Sequence, residues 1–531
     1  MKRSITRMRS RLLRLAALLL AAVFCLPGTA DASNVSSSLV VGIQSYKTQT
    51  FTPLDPVERD IISVYDLVYE SLVTIDDNYI PQGQLALNWE ESNNGGTWKF
   101  ALRKEAKFSD GTPLTAKDVV ASAKYILDKA NTETPGFYFN LKYFIKDIYQ
   151  EGDYTVVVKS DRKYYGLLYA MTFPVVPADQ INSDFPLGSG AYKLADFKAG
   201  SYILLDTNPH WWQTQPQVKE IMFNCASNSA TVIENFEYGR VDAIFTRDTA
   251  ASQYKSSTTT FALDSRTLQL ETLLINNASY PFDDVNIRKA VRMLIDVDKI
   301  ASTVYFGMAT RTDTPMPANT WMYNDSLSSH FALNFDEAVR ILEDAGWYYS
   351  EEEGCRVKPK EDGSGTHRLS IRLYVYEEPD NDVRVEVANM ISDFLTAAGF
   401  EIRMTTMKLY GTDEEPQMAE KLKAGSYDLA LVAYSMDMCP DPGFLLMSGN
   451  TGNYVRYRSE TMTNLCKELR TQTTQDGFKR VLDQIQLQFA EDCPFICLYY
   501  RDGAVLTRKM YTTVRDIREY ELLRGIELFH D

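Results

Sequence analysis

An α/β fold in at least two domains is what this sequence predicts, and three observations carry it. Residues 369–434 alternate strand and helix patterns at lengths that suit a parallel sheet with right-handed crossovers. Residues 98–126 read as strand, turn and capped helix. A chain of 531 residues, even shortened at its N-terminus, exceeds what one hydrophobic core serves. No internal repeat and no low-complexity tract interrupts it.

The first segment is an address. Lys2, Arg3, Arg7, Arg9, Arg11 and Arg14 precede an apolar run from Leu15 to Leu26, and Ala30-Asp31-Ala32 has the small-x-small pattern of a signal-peptidase site. The run is shorter than the roughly 20 residues a spanning helix needs. Residues 1–32 are therefore expected to be a signal peptide cleaved after Ala32, and the mature chain to be extracytoplasmic. Lipidation at Cys25 comes second, because Phe24 is large where a lipobox has a small residue; an uncleaved anchor is the other alternative. Losing six basic residues and one acid makes a chain of net charge −16 more acidic still. Nucleic acid rewards clustered Lys and Arg and is not an expected partner.

In "TWKFALRKEAKFSDGTPLTAKDVVASAKYIL", Trp98, Phe100 and Leu102 alternate with polar residues, the period of a half-buried strand. Ser109 to Pro113 is turn chemistry. Thr115 stands three before Asp118, a capping-box spacing, and Val119, Val120, Ala123 and Ile126 form a helical stripe. Residues 152–206 are strand-rich, and "ATVIENFEYGRVDAIF" reads as helix then strand, with Gly239 near the helix end. Further on, "LSIRLYVY" is a strand. The next helix places Val387, Met390, Ile391, Phe394, Leu395 and Ala398 on one face and stops at Gly399. "FEIRMTTM" is a strand, "PQMAEKLKAG" a short helix, and "YDLALVAY" an apolar strand whose carboxyl end runs into "SMDMCPDP". Ligands of such sheets gather at strand carboxyl ends.

Catalytic motifs do not surface. The four histidines, His210, His330, His367 and His530, form no H-E-x-x-H, and there is no C-x-x-C, G-x-S-x-G, P-loop or dinucleotide fingerprint. The histidine of "NPHWW" reads as packed. Gly188-Ser189-Gly190 reads as a tight turn entering a strand. A glycosidase-type carboxylate pair stays open, since its proximity is spatial. No cofactor and no resident metal are expected. Beyond Cys25, the cysteines are Cys225, Cys355, Cys439, Cys466, Cys493 and Cys497, too sparse for a disulfide-built scaffold. On an extended strand Cys493 and Cys497 would stand about 13 Å apart, beyond the roughly 7 Å a bridge tolerates.

Several blocks together resemble one family, the extracytoplasmic solute-binding proteins of peptide and nickel ABC importers (family 5). The strongest is "WKFALRKEAKFSDGTPLTAKDVV", in which Trp98, Phe100, Leu102, Arg103, Phe108, Asp110, Gly111, Pro113, Thr115, Ala116, Asp118 and Val119 fill W-x-F-x-L-R-x(4)-F-x-D-G-x-P-x-T-A-x-D-V. "FTPLDP", "VYDLVYESLV", "GSGAYKL", "NPHWW", "NNASYPFDDVNIRKAV" and "FDEAVRILEDAGW" are similar to further family blocks, so the likeness spans roughly residues 39–515. It implies a large two-lobed fold of the periplasmic-binding-protein type (type II), with an extra subdomain in lobe one and two hinge crossovers. Lobe one would cover 33–275, with the subdomain about 58–186. Lobe two would cover 276–498, and 499–531 would return to lobe one. The crossovers are expected near 270–277 and 495–506. The implied role is a monomeric, non-enzymatic receptor that closes on a short peptide and delivers it to an ABC permease in the membrane.

The resemblance also points to a site. Peptide-binding members carry W-x-x-D-x-x-[DE]-P after the strand placed here at 427–434, and its aspartate takes the peptide's α-ammonium while nearby backbone pairs with the peptide as an added strand. In this chain Tyr434 stands for the Trp, Asp437 keeps the offset, and Asp441-Pro442 falls one residue late. The expected ligand-binding set is Tyr434, Ser435, Met436, Asp437, Met438 and Cys439, with Thr52 and Leu54 from "FTPLDP". Met436 and Met438 are expected as pliable pocket walls, with a soft-metal site including Cys439 as the alternative. Asp441 and the Trp98–Val119 block are expected to be scaffold. Other cargo on the same fold (a nickel chelate, an oligosaccharide, another amine-bearing solute) is the rival reading, and an extracellular hydrolase the remoter one.

Overall fold

The structure is a computed structural model that describes residues 38–56, 58–132, 136–378, 382–410, 417–508, 517–519 and 521. The signal segment 1–32 lies outside the described residues.

Among the described residues, one sheet of eleven strands runs through the molecule. Across it the order is Glu401–Met407, Ser370–Tyr376, Leu429–Ser435, Phe261–Ile275, Phe495–Thr507, Ala243–Thr246, Ser38–Gln44, Glu220–Ala226, Tyr202–Thr207 and Tyr192–Lys198, with Ala309–Arg311 added to Phe495–Thr507. The alternation read from residues 369–434 is there. Ser370–Tyr376 pairs in parallel with both Glu401–Met407 and Leu429–Ser435. The helix Val383–Ala397 joins the first two and buries Val387, Ile391 and Leu395, with Met390 and Phe394 half-buried against the same core. It stops before Gly399, whose φ of +91° suits a residue without Cβ.

Phe261–Ile275 and Phe495–Thr507 hold the two halves of this sheet together. Phe261–Arg266 pairs with the distal part of the second strand, which also pairs with Ala243–Thr246. Beyond a break in register between Arg266 and Leu270, the first strand pairs with Leu429–Ser435 on one side and with the proximal part of its partner on the other. Each long strand thus belongs to both halves, which makes the architecture two-lobed. A buried ion network spans them. Glu271 of the first strand meets Arg384 and, from the second strand, Arg501, each at 2.6 Å; Glu378 closes the square at 2.6 Å to Arg384 and 3.1 Å to Arg501.

A separate four-stranded sheet, Ala86–Ser92, Thr97–Leu102, Thr155–Lys159 and Asp147–Gln150, carries the helix Ala116–Lys129 against it. The signature block folds here as scaffold. Asp110 Oδ1 accepts the Thr112 N–H (2.9 Å) and hydroxyl (2.7 Å), a side-chain-closed turn around Gly111. Asp118 reaches back to the Thr115 N–H (2.8 Å) to cap the helix, and its other oxygen accepts the Ala178 N–H (2.9 Å). Arg288 of the "DVNIRKAV" block, 6% exposed, donates to the carbonyls of Phe282, Asp492 and Cys493.

The turn at Gly188-Ser189-Gly190 is a close approach rather than a nucleotide loop. A Cβ on Gly188 would stand 2.0 Å from the Val68 carbonyl oxygen, and one on Gly190 2.5 Å from that of Leu67. Gly188→Ala should therefore cost about 1–3 kcal/mol through overpacking, seen as a lower urea midpoint; an unchanged midpoint would mean the helix end yields freely.

Cys493 departs from the sequence expectation. It ends the helix Gln475–Asp492 in the left-handed region (φ 42°), and the strand begins only at Phe495. Cys493 and Cys497 therefore do not share a continuous strand, and both are free thiols.

Candidate functional site

The carboxyl end of Leu429–Ser435 opens onto a cavity of about 560 Å³ between the lobes. Ser435, Met436, Asp437, Met438 and Cys439 form one wall. Opposite stand Tyr65 and Tyr69 from the helix Arg59–Val68 and its end, Phe137 to Asn140 from the subdomain, and Phe144 and Tyr169. Aromatic contacts order this wall: Tyr65 meets Tyr69 edge-on at 5.7 Å, and Phe137 meets Tyr138 at 4.9 Å. Leu268, Glu519 and Glu521 lie on the side of the long strands.

Asp437 is the polar centre. Its side chain is open to the cavity, yet protein encloses it on the cleft's other sides. Oδ1 accepts the Cys439 N–H at 3.2 Å, and Oδ2 accepts Asn140 Nδ2 at 3.3 Å across the cleft. Both donors are neutral. Burial raises the pKa of Asp437, and these hydrogen bonds offset only part of that rise. A cation placed beside it would recover that loss.

The loop is held by internal bonds. Met436 N–H donates to Leu268 O at 2.8 Å, and Met436 is 9% exposed. Asp441 is tied down, with Arg470 Nε at 2.7 Å, the Gly443 N–H at 2.9 Å and the Tyr164 hydroxyl at 3.4 Å. The residue that falls one place late in the loop thus anchors it to the helix Glu460–Leu469 and to the turn Leu167–Ala170 nearby. Cys439 is buried against Tyr164, its sulfur 3.9 Å from the hydroxyl oxygen, and burial pushes its thiol well above the ordinary range. The thiol is therefore protonated and a poor soft-metal ligand.

Residues 81–455 match the family described as bacterial extracellular solute-binding proteins, family 5 Middle. The chain belongs to family 5 of the extracellular solute-binding proteins. Among relatives of this family, the oligopeptide-binding protein AppA of Bacillus subtilis is 23% identical over 93% of this chain and 94% of its own. The structure of that protein in complex with a nonapeptide aligns with a TM-score of 0.66 at 21% identity, covering 94% of this chain and 99% of the other. NikZ of Campylobacter jejuni, in complex with Ni(L-His), aligns with a TM-score of 0.70 at 17% identity, covering 93% and 100%. Together these fix the fold as the two-lobed type of family 5, a family of transport components rather than of enzymes.

Of the site residues expected from the family 5 pattern, Ser435 to Cys439 come together on the cavity and three do not. Tyr434 turns away: its hydroxyl donates to Gly452 O at 3.1 Å and its ring meets Phe444 edge-on at 6.3 Å. Thr52 and Leu54 are 5% and 2% exposed and lie outside the cavity lining, Leu54 within the core. What the sequence reading missed is the facing wall. "FYFN" at 137–140 is an aromatic run ending in a side-chain amide that meets Asp437, and Tyr65 and Tyr69 stand four apart on one helical face. Both patterns were visible, but nothing in spacing alone says that they face residue 437.

Among the described residues, no three His, Cys, Asp or Glu side chains come together as a metal-binding group. No described helix is long and apolar enough to cross a membrane.

Proposed function

We propose that this protein is the exported substrate-binding component of an ABC importer, capturing short peptides between its lobes and presenting them to a membrane permease. One observation carries the reading: the Asp437 carboxylate faces the cavity and, among the described residues, has only neutral donors for partners. An α-ammonium set there would make charge-assisted hydrogen bonds in a site of low polarity. The wall of Met436 and Met438 is pliable enough for varied side chains. The likeness to oligopeptide-binding AppA supports the same cargo.

In this reading the signal peptide is removed after Ala32 and the mature chain works as an extracytoplasmic monomer. Residues 33–275 and the returning 499–531 form one lobe, and 276–498 the other. The register break between Arg266 and Leu270 is where the long strands flex. The Asn140–Asp437 contact joins the lobes in the closed state.

Calorimetry on Asp437→Asn tests it. A charged hydrogen-bonded pair is worth about 1.5–3 kcal/mol, so a free-amine tripeptide should lose about ten- to a hundredfold in affinity and its N-acetylated form little. Equal loss for both would sink the ammonium role. A metal chelate is the second reading, favoured by the likeness to NikZ. Native mass spectrometry of protein purified from rich medium separates the two: a ladder of peptide masses supports the first, a nickel adduct the second.

A further inference from the structure

The walls of the cavity carry charge of one sign only. Asp66, Asp437, Glu519 and Glu521 line it, and among the described residues no Lys, Arg or His does. Cations stand behind Glu519 and Glu521. Glu519 is met by Arg59 and, at 2.9 Å, by Arg247; Glu521 is met by Arg518 at 2.8 Å. Asp437 has no such partner among the described residues. The rest of the lining includes seven aromatic residues, whose faces suit a cation rather than an anion; that of Phe139 already has the Lys142 ammonium 5.5 Å from its centre. Tyr65, 3% exposed, also lines the cavity, and its buried hydroxyl has no hydrogen-bond partner.

A zwitterionic peptide would bring two charges into this cleft. Its ammonium has Asp437; its carboxylate would find no described cation on the walls, and the arginines of Glu519 and Glu521 are already engaged by those acids. An anion desolvated without a partner is disfavoured. We propose that the cavity selects net-cationic cargo: an amine-bearing molecule, such as a basic short peptide, whose negative pole is absent or outnumbered. This deepens the reading of the cleft as the peptide site and rests on it, but charge selection and peptide capture can be tested apart.

Calorimetry on the mature wild-type chain at low salt would compare trialanine, trialanine amide, Lys-Ala-Ala, Glu-Ala-Ala and spermidine. Removing the carboxylate as the amide should tighten binding about tenfold or more, and Lys-Ala-Ala should exceed Glu-Ala-Ala by at least as much. Raising the salt should narrow both gaps, since they are electrostatic. If all the peptides bind with no preference for positive charge, or the free acid binds as well as the amide, the charge selection is wrong and peptide capture stands. If spermidine binds and no peptide does, the charge selection stands and the peptide reading falls. Failure of every probe, spermidine included, would overturn both.

Discussion

Glu271→Gln is expected to cost about 3–5 kcal/mol of folding stability, the range for breaking a buried pair from one side. Glu271 is 1% exposed and is the carboxylate that Arg384 and Arg501 share from opposite elements. Without its charge, two buried guanidiniums are left to Glu378 alone. Arg384, itself 1% exposed, also lies 3.8 Å over the Tyr376 ring, so it has no route to water. Burial works against the charge on Glu271, but Arg384 and Arg501 outweigh it and hold its pKa below the usual 4.5. Because the folded value is the lower one, this stabilisation is complete above pH 4.5 and is lost as pH falls through the folded value. Urea unfolding at pH 7 should show the loss, and an unfolding free energy within about 1 kcal/mol of wild type would refute it. A triple variant replacing Glu271, Arg384 and Arg501 by apolar residues of similar volume should recover much of the stability, because no charge is then left unpaired.

The position of this network matters more than its strength. It joins both long strands to the start of the helix Val383–Ala397, beside the strands through which any lobe movement must pass. The register of the long strands breaks twice here, between Arg266 and Leu270 and again at Glu271 itself, beside Thr272. In the closure proposed above, a stiff network beside these breaks would bring Asn140 and Asp437 to the same place each time.

How much of this was legible follows from the range of each interaction. Local patterns sufficed for the strand at Trp98–Leu102, the Thr115–Asp118 cap and the alternation from 370 to 435, because period and capping act over a few residues. The loop at 435–439 was legible through strand polarity and the family pattern together. Its partners were not: Asn140 lies 297 residues away, and no periodicity encodes such a pairing. Tyr434, Thr52 and Leu54 were placed at the site by likeness of pattern, and here packing decides otherwise. A tyrosine whose hydroxyl reaches Gly452 O is turned out of the cleft wherever its neighbours point. The ion network escaped for the same reason as Asn140, since Glu271, Arg384 and Arg501 meet only through tertiary structure.

Glu70→Gln is expected to stabilise the protein by about 2–3 kcal/mol at pH 8 and hardly at all near pH 4.5. Glu70 is 2% exposed and does not line the cavity, although its neighbours Tyr69 and Ser71 do. Its Oε1 accepts the indole N–H groups of Trp212 (2.8 Å) and Trp211 (3.4 Å), which is the work of the aromatic pair in "NPHWW". Oε2 and the Ser189 Oγ beside it are buried with no hydrogen-bond partner, so a proton on Oε2 supplies the missing donor. Burial is the main cause of a pKa raised to about 7, against the Trp212 indole, the nearby Ser189 hydroxyl, the Trp211 indole and the charge of Arg103. A folded value above the unfolded 4.5 means that the folded state holds the proton longer. Its favourable contribution is whole below pH 4.5 and is lost as pH rises through about 7. Glutamine keeps the acceptor for both indoles, offers an N–H toward Ser189 and never ionises. Thermal unfolding of both proteins at pH 5 and pH 8 reads the effect as a gain for the variant that grows with pH. A gain of equal size at both pH values would mean that Glu70 titrates alike in the folded and unfolded states and that its burial carries no pH-dependent cost.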